Sequence, residues 1–116
     1  MKNKEADRIV AEYMGWLDIR QITPKCSVSG VDPVDGVIRD LPKYHRFLDK
    51  LIPVWEKMIA LPDYENRIDK DRKICTWSCR VSIEHKKTFF HDAKTMQEAS
   101  CIATAQAILI KQEVQK

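Results

Sequence analysis

The stretch from Cys75 to Ile83 constrains the fold more than any other part of the chain, because its side chains alternate strictly. Cys75, Trp77, Cys79, Val81 and Ile83 fall on one face, and Thr76, Ser78, Arg80 and Ser82 on the other. A period of two marks a strand with one buried and one wet face, the habit of antiparallel sheets. Such a strand needs partners for its backbone groups. Glu84-His85-Lys86-Lys87 reads as a turn, and Thr88-Phe89-Phe90-His91 as the return strand of a hairpin.

Around this hairpin the apolar period changes to that of helices. Ala6, Ile9, Val10, Tyr13, Met14 and Leu17 recur at spacings of three and four, which predicts a helix over 4–15. Glu5 and Asp7 sit in its first turn, where the helix dipole favours acids. Gly15 follows as a left-handed stop, leaving Trp16 free to fold back on the helix end. Leu48, Leu51, Ile52, Trp55, Met58 and Ile59 predict a second helix within 47–61. Pro53 is tolerated only near a helix start, so this helix is expected to begin near Asp49 and to end at Leu61-Pro62-Asp63. Thr95 with Glu98 forms a capping-box signature for a last helix, faced by Ala99, Ile102, Ala103, Gln106, Leu109 and Ile110.

Between the first two helices, residues 18–43 hold Pro24, Gly30, Pro33, Gly36 and Pro42 and show no clean period. They read as a long connection, with a short strand at Gly36-Val37-Ile38-Arg39. Long connections inside a small domain are often functional. The fold expected from these pieces is α+β: an antiparallel sheet of about three or four strands, packed with helices in a sandwich-like single domain over 1–116.

Charge and cysteine usage narrow the chemistry. The net charge of +3 comes from 20 basic and 17 acidic residues. They are interleaved, as in Arg67-Ile68-Asp69-Lys70-Asp71-Arg72-Lys73, rather than gathered in a basic arm or tail. That gives nucleic-acid binding only a thin case, resting on Arg80, Lys86 and Lys87 along the hairpin. No apolar run approaches the ~20 residues of a membrane span, and the N-terminus has no apolar signal region. A cytoplasmic protein without a membrane partner is expected, its four cysteines reduced and serving as small apolar residues.

Metal and catalytic motifs are weak. Cys75 and Cys79 lie four apart on a predicted strand, about 13 Å at roughly 3.3 Å per residue. Two thiolates on one zinc must lie within about 4 Å of each other. No spacing ties Cys26 or another cysteine to His45, His85 or His91 as nucleophile and base. Three isolated glycines form no phosphate-binding loop. The expectation is a non-enzymatic protein with no cofactor and no metal.

Tyr13-Met14-Gly15-Trp16 looks like the Met-Gly-Trp that closes the opening helix of many small phage proteins. Tyr44-His45, then Asp49 and Leu51-Ile52-Pro53-Val54-Trp55-Glu56-Lys57, resembles a segment in which Tyr-His leads to Leu-Met-Pro-Val-Val-Glu-Lys. Thr95 to Ala103, with Glu98-Ala99, is similar to their final helix. In this order the motifs resemble the phage ABA sandwich domain family. Leu48 and Lys50 stand where that pattern has flanking tryptophans. The resemblance implies a phage or prophage origin and a sandwich of sheet and helices, and it carries over no catalytic residue.

Trp16, Tyr44 and Trp55 near the long connection are expected first to cap the core beneath it; the alternative is an interaction surface, because tyrosine and tryptophan are enriched at interface hot spots. Trp16, Tyr44 and His45, with Arg80, Lys86 and Lys87, form the expected interaction surface. The partner expected is a protein, with nucleic acid as the alternative and self-association as a way to hide an uncovered sheet face.

Overall fold

The computed structural model describes residues 2–21, 28–71, 74–83 and 86–114. Cys26 and the turn residues 84–85 lie outside the described residues. The predicted hairpin is present as β5 (Ile74–Ile83) and β6 (Lys86–Ala93), paired antiparallel from Ile83↔Lys86. Lys86 and Lys87 therefore belong to the return strand and not to the turn. Cys79 and Val81 are buried and Trp77 is half-buried against the core, but Cys75 is exposed. The inward face thus holds at the middle of β5 and opens at its start.

β5 is the centre of a three-stranded sheet, because β4 (Ala60–Asp69) pairs along its other edge. β4 replaces the expected helix end at 59–61 and the mixed charge run that follows. Its alternation is hidden by composition: Pro62 and Asn66 pair with Val81 and Trp77, and Leu61 pairs with Ser82 on the other face. Pro62 is at home on an edge strand, where a missing N–H costs least. The helix before it, α2 (Ile52–Met58), has Pro53 in its first turn as predicted and follows a single 3₁₀ turn, Leu48–Lys50. α2 stops early because Ile59 adopts a left-handed conformation (φ 56°) that turns the chain into β4.

Helix α3 (Met96–Val114) starts as its cap predicts, with the Glu98 N–H donating to Thr95 Oγ1 at 3.1 Å. It packs against β5 and β6 and also against α1 (Asn3–Tyr13). Covered on more than one side, it is buried from Ala99 to Ala105 and again at Ala107 and Ile108, without the single stripe expected, and Leu109 is partly exposed. Its many alanines allow that close approach. Its buried hydroxyls are all engaged: Ser100 Oγ donates to Met96 O, Thr104 Oγ1 to Ser100 O, and Trp55 Nε1 to Thr104 Oγ1 at 2.9 Å. Thr88 on β6 donates to Ala103 O, tying sheet to helix.

The long connection folds as a second antiparallel sheet of order β1-β2-β3, from β1 (Leu17–Arg20), β2 (Ser29–Val31) and β3 (Ile38–Asp40). The short strand expected at 36–39 is β3, shifted toward Asp40. Strands of three or four residues are too short to show a period, which is why β1 and β2 escape sequence analysis. Gly15, at φ 98°, ends α1 as predicted: the Gly15 N–H donates to Glu12 O and the Trp16 N–H to Ala11 O. This bond pair is the Schellman arrangement, and it folds Trp16 back onto the helix end. The fold is α+β, with antiparallel sheets packed by three α-helices among the described residues.

Candidate functional site

The expected surface residues do not form one surface. Trp16 and Tyr44 are buried members of the core, which corrects their assignment to an exposed face. The physical reason for Trp16 is the helix stop, which turns it back onto the helix end, and Tyr44 joins the same core cluster. Burial, helped by the nearby Asp7 carboxylate, pushes the Tyr44 hydroxyl up to about 12. Arg80 lies half-buried on the wet face of the large sheet, in register with Asp63 of β4. Lys86 and Lys87 stand opposite Ile83 and Ser82 on β6.

His45 enters a polar cluster that the sequence does not announce. The buried Asp7 of α1 accepts the His45 backbone N–H (3.1 Å) at Oδ1 and faces His45 Nδ1 (2.6 Å) with Oδ2. Cys101 of α3 donates its thiol to the same carboxylate at 3.4 Å. Asp7, read as a first-turn acid, lies instead in the middle of its helix and fastens three elements. In an activated Cys-His-Asp arrangement the histidine stands between thiol and carboxylate. Here the carboxylate stands between, and burial with Asp7 pushes the Cys101 thiol far up. A thiol held protonated as a donor is a structural group, not a nucleophile. Among the described residues, no group of three or more His, Cys, Asp or Glu is placed to hold a metal ion.

The surface that stands out lies on the small sheet. Leu17, Val31 and Ile38 pair in one row across β1, β2 and β3, so they share a face. Leu17 is 65% and Ile38 73% exposed, and Val34, at the tip of the β2–β3 hairpin, is 91% exposed. Val37 is also exposed, but as the neighbour of Ile38 in the ladder it belongs to the opposite face. The tip is held rigid. Asp32 Oδ1 accepts the Val34 N–H, Asp35 Oδ1 accepts the Val37 N–H, and the Gly36 N–H donates to Asp32 O. Arg39 bridges Asp35 and Asp32, and that guanidinium holds the Asp35 carboxyl below its ordinary range. Gly36 supplies the positive φ of 73° that the turn needs. The row is not legible in the sequence because its members sit in separate three- and four-residue strands; the Asp-Pro-x-Asp-Gly spacing at 32–36 is the one signal of the turn.

Among solved structures, the chain is similar to a phage protein from Bacillus cereus. The two are 18% identical over 90% of each chain, with a TM-score of 0.54. The fold is shared at that level of likeness. No family model and no curated protein matches the chain. No helix among the described residues is long and apolar enough to cross a membrane.

Proposed function

We propose that the chain is a phage- or prophage-encoded accessory protein of the bacterial cytoplasm that works, without catalysis, by binding a protein partner. The observation that carries this reading is the row Leu17, Val31 and Ile38 on one face of the small sheet, with Val34 exposed at the hairpin tip beyond it. Exposed apolar side chains on one sheet face, with charged residues beside them, are a usual mark of a protein-docking surface. A rigid turn lowers the cost of binding there, because little ordering is left to do when the partner arrives. The phage context is supported by the motif order of the sequence and by the structural neighbour, itself a phage protein.

The test is affinity capture from a bacterial lysate, with and without nuclease, by the natural chain and by a Val34→Asp, Ile38→Asp variant. Both positions are exposed, so the variant is expected to keep its melting temperature. A protein captured by the natural chain in both samples and lost from the variant is the expected result. Capture that ignores the substitutions would remove this surface from consideration. Capture abolished by nuclease would put nucleic acid in place of the protein partner.

A further inference from the structure

The backbone of β3 tells what form of partner fits this surface. The Leu41 N–H donates to Val28 O, and the Asp32 N–H to Val37 O. Paired residues in an antiparallel ladder alternate between bonded and non-bonded. Between those two bonds the Gly30–Arg39 pair is therefore the bonded one, and Val31–Ile38 and Ser29–Asp40 are not. The N–H and C=O groups of Ile38 and Asp40 consequently face away from β2, along the outer edge of the sheet. All three residues of β3 are exposed, and no described strand pairs on that side. β1, the opposite edge, is interrupted by a register shift and by Asp18 at φ 50°. β3 is thus the regular edge, and an extended chain is the shape that completes it.

Charge selects the composition of that chain. The whole protein carries +3, yet the described residues of β1, β2, β3 and the β2–β3 hairpin hold Asp18, Asp32, Asp35 and Asp40 against Arg20 and Arg39. Arg39 is already engaged by Asp35 and Asp32. Arg20 stands two strands away from Asp40, about 10 Å at the usual strand spacing. The free edge therefore offers an apolar side chain, Ile38, and an acidic one, Asp40, on the same face.

We propose that the partner binds by adding an extended segment to β3, with an apolar residue opposite Ile38 and a basic residue opposite Asp40. The inference rests on the reading of this surface as the docking site. Main-chain bonds to Ile38 and Asp40 give the segment its register. Continuation of the Leu17, Val31, Ile38 row across it buries the apolar residue, and the Asp40 carboxylate selects lysine or arginine two positions along.

The experiment uses the purified full chain and two fluorescent synthetic peptides, one repeating Ser-Val-Ser-Lys and one repeating Ser-Val-Ser-Glu, followed by anisotropy. The lysine peptide is expected to bind at least about tenfold more tightly, a difference of about 1.4 kcal/mol, and to weaken as salt is raised. Ile38→Asp should abolish its binding. Asp40→Lys, at an exposed position, should reverse the preference in favour of the glutamate peptide. Equal binding of the two peptides, binding of neither, or a preference unmoved by Asp40→Lys would overturn the proposal. If the peptides fail while lysate capture is still lost on Val34→Asp, Ile38→Asp, the docking surface stands and only the basic strand is wrong. A dimer of the natural chain in sedimentation that Ile38→Asp dissolves would overturn the proposal by naming a second copy as the occupant.

Discussion

Asp7 is buried although its carboxylate is shared by a backbone N–H, an imidazole and a thiol. Burial costs an anion hydration, and the three partners offset that cost. Removing the carboxylate leaves the His45 N–H and the Cys101 thiol without their acceptor, so Asp7→Ala should lower unfolding stability by about 1–3 kcal/mol in urea titration. A loss below about 0.5 kcal/mol would mean that water or a neighbour replaces the acceptor. The pH dependence carries a second sign. Burial is the largest influence on Asp7 and lifts it above its ordinary value of 3.8, with His45 acting against it. A carboxyl raised in the folded state gives stability that is full below its ordinary pKa and lost as pH climbs through the folded one. The stability of the natural chain relative to Asp7→Asn should therefore fall as pH rises from 3.8. A relative stability that grows over that range would show that pairing with His45 outweighs burial. None of this was legible in the sequence: an acid near a helix start reads as a dipole partner, and only tertiary packing brings His45 and Cys101 to it.

At the scale of elements, the left-handed positions separate what could be read from what could not. Gly15 closes α1 at φ 98°, and the sequence shows it, because glycine after an apolar stripe is the usual residue for that conformation. Ile59 closes α2 at φ 56° without glycine, so the sequence continues the helix past it and misses the start of β4. The two positions predict opposite outcomes. Gly15→Ala forces a Cβ into the left-handed region and within 3.4 Å of Pro33 Cβ, and should destabilise by about 1–2 kcal/mol. Ile59→Gly relieves the same penalty at an exposed site and should stabilise by a net of about 0.5–1 kcal/mol, after the flexibility glycine adds to the unfolded chain. Denaturant midpoints for both variants check the pair. Stabilisation by Gly15→Ala, or destabilisation by Ile59→Gly, would show that local backbone strain does not govern these helix ends. The capped start of α3 and the alternation of β5 were legible for the same reason as Gly15: each is a local rule obeyed locally. β4 was not, since the residues in register with Val81 and Trp77 are Pro62 and Asn66.

On the scale of the whole molecule, the two sheets are unequal partners. β4, β5 and β6 run for ten, ten and eight residues, while β1, β2 and β3 have four, three and three. Cys79 and Val81 of the large sheet and α3 from Ala99 to Ala105 are buried together, whereas β3 is exposed throughout. The small sheet is fastened to the body by neighbouring residues, Trp16, Leu41 and Tyr44 in the core and Asp7 to His45 at its flank. A region with few buried side chains opens at a lower free energy than the global transition. Native-state hydrogen exchange should then show the Asp32 and Leu41 amides, which bond within the small sheet, exchanging at least about tenfold faster than those of Val81 and Ile102, a gap of about 1.4 kcal/mol. Asp7→Ala should quicken Leu41 and His45 further, while the ratio of Val81 to Ile102 stays fixed. Equal protection in both sheets would mean that the molecule opens only as a unit. A small sheet that opens separately does so without exposing the main core, which keeps the proposed docking edge and the interior under separate control.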